Sequence, residues 1–456
     1  MAKTSSIKLM TEGNVAKIIL AYAAPIFIGN LFQQLYNTAD SLIVGNFVGQ
    51  NALAAVTSVG PLTYLLIGFF MGFSTGGGVI IAREVGAKRE KEASKAVHTL
   101  VALGLVLSVA MTIIGVFFTP VLLEWMGTPG DVLPLAATYL RIYFAGSIAL
   151  VMYNVLVGIL NAGGDSTHPL YYLIVSSVIN VIGDVILITQ FHMGVAGAAI
   201  ATVASQFFAM LLCLRRLLRE KSMIALHPDE IRFDGDMLKQ IFNYGFPTAM
   251  QGCVIDLANI MIQSYYNSFG AAIVAGIGAY TKVEGFVFLP VTAFSMAMTT
   301  FISQNRGAGK HHRVKEGMRF GLIASAIAIE AIGVIFFLFA PTFISAFNRT
   351  PEVIAAGASR ARTCSLFYCF LGFSHIASAI LRGEGRPVMP MAVMLICWCA
   401  VRVITLMTIG KVIHMIGLAN WLYPITWTLS SIVFAWDLRK YHPFSDKEPD
   451  LQSLGY

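Results

Sequence analysis

The chain is written twice. A stretch from about residue 15 to 216 is followed by a second one with the same order of apolar segments, prolines and glycines. Pro25 recurs as Pro247, Gly86-Ala87 as Gly307-Ala308, and Thr128-Pro129 as Thr350-Pro351. Ile159-Leu160 with Gly164 and Pro169 returns as Ile380-Leu381 with Gly385 and Pro390 at identical spacing. Each copy must therefore fold into a similar unit. In an apolar chain, two such halves are the usual plan of a secondary transporter.

Composition supplies the apolar part of that argument. Hydrophobic residues make up 57% and charged residues 12% of 456 residues, where a soluble domain carries roughly 25% charge. Windows of about 20 apolar residues fall near 15–45, 53–82, 96–118, 132–160, 168–190 and 195–217 in the first copy. In the second they fall near 238–267, 272–303, 317–340, 353–381, 388–413 and 417–438. The expectation is an all-α polytopic membrane protein with about twelve transmembrane helices in two pseudo-symmetric six-helix lobes around a central cavity. The lobes would span 1–218 and 237–441, joined by a cytoplasmic linker at 219–236 and followed by a tail at 442–456.

Lys and Arg are retained in cytoplasmic loops. They crowd after the second span (Arg83, Lys88, Arg89, Lys91, Lys95), at its counterpart (Arg306, Lys310, Arg313, Lys315, Arg319), in the linker and in the tail. Opposite loops are nearly free of them, with Arg349, Arg360, Arg362 and Lys411 the exceptions. Both termini should be cytoplasmic in a multi-pass protein of the cell inner (plasma) membrane. The net charge of +7 then reflects this bias and contact with anionic lipid, with no call for nucleic acid. The six cysteines lie in or beside spans without zinc-type spacing. No cofactor and no enzymatic activity are expected, and a monomer suffices.

A carboxylate at the bilayer centre costs roughly 2.5 to 3.5 kcal/mol on insertion scales, so such residues face a cavity and usually have a task. Here they are Asp40, Asp184, Asp256, Glu284 and Glu330. On the first span Gln33, Gln34 and Asn37 lead to Asp40 along a helical face; on the fifth, Ser176, Asn180 and Asp184 repeat every four residues. Two polar stripes with one Asp each can converge on one site, completed by Thr202, Tyr139 and Asn154. Asp256, Asn259, Gln263 and Tyr266 form a further stripe on the seventh span, with Glu284 on the eighth as a substrate contact or a structural partner, for example of Arg402. Glu330 reads as a packing or rim residue. A structural polar network is the simpler account of the amides and hydroxyls; it does not account for two carboxylates.

The six-plus-six layout resembles the multidrug and toxic compound extrusion (MATE) family. So do Pro25 in a first span ending Asn37-Thr38-Ala39-Asp40, the Gly-Ala loops, Gly163-Gly164-Asp165 after the fourth span, and Asn180 with Asp184. The resemblance covers nearly the whole chain. It implies export of small-molecule organic cations in exchange for protons or sodium, with coupling at Asp40, Asn180, Asp184 and Thr202, which would also be the ligands of a sodium ion. Some branches of the family bind sodium in the second lobe through an acid on the tenth helix. This chain has none between Phe367 and Leu381.

The acids outnumber the bases Arg141, Lys282 and Arg402 within spans, which favours cationic substrates. A flippase for lipid-linked precursors, similar in fold, should instead line its cavity with bases. A channel or receptor fits duplicated halves with buried acids less well. Gly307-Ala308-Gly309-Lys310 lacks the flanking Gly and Ser/Thr of a P-loop, so nothing supports ATP as the drive.

Overall fold

A computed structural model describes residues 9–440 other than 126, 127 and 129, and its regular structure is entirely helical among those residues. The tail expected at 442–456 and Pro129 lie outside them. The first copy contributes α1 (Val15–Phe47), α2 (Gln50–Ser58), α3 (Gly60–Gly86), α4 (Glu90–Trp125), α5 (Leu133–Ala145), α6 (Ser147–Ala162), α7 (Thr167–Val185) and α8 (Gly194–Leu218). The second contributes α9 (Gly235–Asn267), α10 (Ala271–Gly307), α11 (His311–Ser345), α12 (Pro351–Ser365), α13 (Tyr368–Gly383), α14 (Val388–Val393), α15 (Val401–Val412) and α16 (Ile416–Lys440). Among the described residues eight helices are long and apolar enough to cross a membrane, or ten when two bent pairs each count as one span. α9, of 33 residues, and α16, of 25, occupy the places of the seventh and twelfth expected spans but are more polar.

Several spans are broken, each for a local reason. The second is interrupted at Val59, just before Gly60-Pro61, where the proline removes an N–H and restricts its neighbour. α5 and α6 meet at Gly146 with a bend of 51°, α12 and α13 with one of 58°. Single π turns at Ile186–Gln190 and Met394–Ala400 follow α7 and α14. Before α2 and α10 the chain turns through Gly49 at φ 115° and Gly270 at φ 95°, conformations that side chains with a Cβ rarely adopt.

The helices pack into two compact units whose boundaries fall inside α1 and α9 and not at the linker. Unit 1 holds Ala24–Ala249; unit 2 holds Met10–Ala23 together with the chain from Met250 onward. Small residues explain the placement of 235–249. A Cβ on Gly72 would collide with the backbone of Ala249, and one on Gly76 with the backbone of Gly245. The G-x-x-x-G face of α3 thus receives α9 at backbone distance, while Arg83 donates to Gln240 Oε1 at 2.9 Å and to Tyr244 Oη at 3.3 Å. The end of α10 does the same for the chain start. Met10 N–H donates to Gln304 Oε1 at 2.8 Å, Asn305 Nδ2 and Arg313 donate to Met10 O, and Lys310 Nζ donates to Thr11 O.

Glu330 serves the break between α12 and α13. Its Oε2 accepts the Cys369 N–H at 2.8 Å, one of the donors orphaned at a helix start. Glu330→Gln keeps an acceptor there, so stability should fall by less than about 1 kcal/mol and export should stay within about twofold of the parent. Glu330→Ala, which leaves that N–H unmet, should cost about 1–3 kcal/mol in thermal unfolding of the purified chain.

Candidate functional site

Unit 1 gathers acids from two distant helices. Asp40, near the end of α1, is 9% exposed, and Asp184, in the last turn of α7, is fully buried. Their carboxyl groups are near enough for each to act electrostatically on the other. Neither supplies a donor when ionised: Asp40 Oδ1 and both oxygens of Asp184 have no hydrogen-bond partner among the described residues. One turn before Asp184, Asn180 is 1% exposed, and its Nδ2 makes a long 3.4 Å bond to Thr202 Oγ1 on α8, leaving its own Oδ1 buried without a partner. The buried Tyr139 on α5 is close enough to both acids to feel their charge.

A set of buried oxygens with no donor facing them is costly as it stands. A proton between the carboxyls, or a small cation held by two carboxylates, an amide oxygen and a hydroxyl, would satisfy it; hard cations take such oxygen sets. Among the described residues no group of three or more His, Cys, Asp or Glu side chains is placed to hold a metal ion.

The other expected members of this cluster stand further out. Gln33 is exposed, Gln34 and Asn37 are half-buried, and Asn154 spends its Nδ2 on Leu150 O at 2.8 Å within its own helix. Tyr139 and Asn154 also sit on different sides of the α5/α6 bend. Tyr36, which the sequence reading passed over, lies within Coulomb range of Tyr139 beside the pair; its signal was its position one turn before Asp40.

Unit 2 holds a separate cavity of about 320 Å³, and Asp256, Asn259, Gln263, Tyr266 and Glu284 all line it. Glu284 is buried and accepts Tyr280 Oη at 2.6 Å, with Tyr368 Oη a further 3.0 Å from Tyr280. Arg402 is 1% exposed and donates from Nε to Thr426 Oγ1 at 2.9 Å; Glu284 feels its charge, but the stronger influence comes from Arg360. Arg360 corrects the sequence reading. It was placed with the residues near the outer loops, yet it is 4% exposed and its guanidinium lies over Tyr423, Tyr280 and Tyr266 at 4.3, 4.9 and 5.0 Å. Arg141 and Lys282 are exposed on the protein surface and do not line this cavity. A larger depression of about 880 Å³, lined by Pro341, Leu366, Phe367 and Trp421 among others, carries Arg362 as its single charged side chain and gathers no comparable chemistry.

A model of the MatE family matches residues 25–186 and again 247–408, once per copy. The chain is 30% identical to the probable multidrug resistance protein YpnP of Bacillus subtilis, over 86% of this chain and 88% of that protein. It is 27% identical to the probable multidrug resistance protein YoeA of the same organism, over 99% of both. Among solved structures, the outward-facing conformation of a multidrug resistance MATE family transporter superposes with a TM-score of 0.88. The match has 25% identity and covers 96% of this chain and 98% of that one.

Proposed function

The chain belongs to the MatE family of multidrug efflux transporters and is therefore a multi-pass membrane protein and no enzyme, and from that premise we propose that it is a secondary active antiporter. It exports organic cations in exchange for protons or sodium by alternating access. It acts in the plasma membrane as a monomer with both termini cytoplasmic. The observation that carries the coupling part is the facing pair Asp40 and Asp184, buried together without a donor. A cation can shift a two-state equilibrium only by its difference in affinity for the two states. The unit 1 oxygens are suited to supply that difference, because filling them removes an unmet burial cost in whichever state encloses them.

Cationic substrates follow from the multidrug resistance relatives and from the excess of acids over bases within the apolar spans. The flippase alternative draws support from Arg360 and Arg402 in the same cavity. A volume of about 320 Å³ that also holds two acids nevertheless suits a small solute better than a lipid-linked pyrophosphate.

Energetics give the test. Each charge moving down 100 mV supplies about 2.3 kcal/mol, enough for roughly a 50-fold substrate gradient. Purified protein in liposomes should move a dye cation when a proton or a sodium gradient is imposed, stop when a protonophore or sodium equilibration removes it, and ignore ATP throughout. Transport that follows ATP, or that proceeds equally without either ion gradient, rejects the antiporter.

A further inference from the structure

Unit 2 carries two arginines for which cation coupling has no use. Arg360 and Arg402 reach from α12 and α15 to one aromatic residue, with the Tyr423 ring centroid 4.3 and 4.1 Å from their guanidinium carbons. Arg360 Nε and Arg402 Nη2 are buried donors with no hydrogen-bond partner, and His375 Nε2 in the same cavity is a third buried nitrogen without one. Buried guanidinium N–H groups left unmet are expensive, and arginine is the side chain whose planar fork fits a carboxylate. The more buried acid of the cavity, Glu284, takes its short bond from Tyr280. Asp256 is only half-buried. The two acids balance the two guanidinium charges over the lining, yet neither takes a hydrogen bond from Arg360 Nε or Arg402 Nη2, so unmet N–H donors, and not net charge, mark the cavity for an acceptor.

The duplication relates this cavity to the unit 1 cluster. With residues 25–186 laid on 247–408, Asp40 falls on Ile262 and Asn37 on Asn259, both of which line the cavity. The π turn at Met394–Ala400 inserts one residue after Pro390, the counterpart of Pro169. Past that turn Asn180 falls on Arg402. Where unit 1 offers oxygens, unit 2 offers an isoleucine and a guanidinium.

We propose that the unit 2 cavity binds the carboxylate of a small aromatic organic solute. Arg360 and Arg402 take its oxygens, and the rings of Tyr423, Tyr266 and Trp398 take its apolar body. With two acids already beside the two arginines the cavity suits a monoanion over a phosphate dianion, and its volume of about 320 Å³ is at the small end of ligand pockets. The site is separate from the coupling oxygens, and its test applies no gradient, so it stands or falls apart from the antiporter reading.

Calorimetry on the detergent-solubilised full chain would compare benzoate, benzamide, benzamidinium and laurate. Benzoate is expected to bind at least about tenfold more tightly than benzamide, since only the former makes a charge-assisted pair, with benzamidinium no better than benzamide. Arg402→Met and Arg360→Gln should each weaken benzoate by about tenfold or more. Benzamidinium binding as tightly as benzoate, or benzoate affinity unchanged in both variants, overturns the proposal; laurate binding more tightly than benzoate assigns the carboxylate to a lipid chain and overturns the aromatic class. The ligand series on the unsubstituted chain decides the matter even where a variant does not fold.

Discussion

Asp184→Asn abolishes gradient-driven export, and Asp40→Asn does the same: this is the expected result in liposomes under an imposed proton or sodium gradient, with transport falling to the protein-free background. The substitution keeps shape and burial but replaces two acceptors by one acceptor and one donor. In the Asp184→Asn protein the new amide can donate to Asp40, so the oxygens that now lack a donor gain one without any ion. The site is then satisfied in every state, and an ion has nothing to distinguish. Folding should survive, because each change removes a buried charge that has no protein donor; size exclusion and thermal unfolding close to the parent's would show this. Export like that of the parent from both variants, at equal reconstitution, would move coupling out of unit 1 and leave Asp256 and Glu284 to carry it.

Gly76→Leu should act on stability instead. The first atom of any side chain there meets the backbone of Gly245, which cannot rotate away as a side-chain tip could. Overpacking of this kind costs about 3 kcal/mol or more when backbone must shift, and a loss of that size should lower the melting temperature by roughly 6–12 °C. Gly68→Leu, two turns earlier on the same helix, meets nothing within 4 Å and should leave melting nearly unchanged. Equal melting of the two variants would mean that α3 and the first turns of α9 do not pack at backbone distance.

The sequence made some of this legible and hid the rest for identifiable reasons. Asp40 and Asp184 stand out because a carboxylate in an apolar span is conspicuous wherever it lies. The repeat was visible in prolines and glycines because these fix backbone shape, which both copies share. The stripe of Gln33 and Asn37 ahead of Asp40 obeyed helical spacing, but spacing fixes only a shared face, and neighbouring helices decide whether that face is covered. Arg360 was hidden because its cover is three tyrosines more than 50 residues away along the chain on α9, α10 and α16. Nothing beside it in sequence marks it as buried. The unit boundaries were hidden for a like reason. The glycines of α3 were plain to see; their partners, Gly245 and Ala249, lie beyond the linker.

The divided first helix bears on how the chain is made. Residues 10–13 are held by Gln304, Asn305 and Arg313, partners 294 to 303 positions later. At about 5–20 residues per second, synthesis of that interval takes roughly 15–60 s, during which the opening segment has been made and its binding partners have not. Residues 235–249 face the reverse situation, since α3 is complete before they leave the ribosome. Unit 1 can therefore close as soon as its last piece arrives, while residues 10–13 must wait for partners made some 300 residues later.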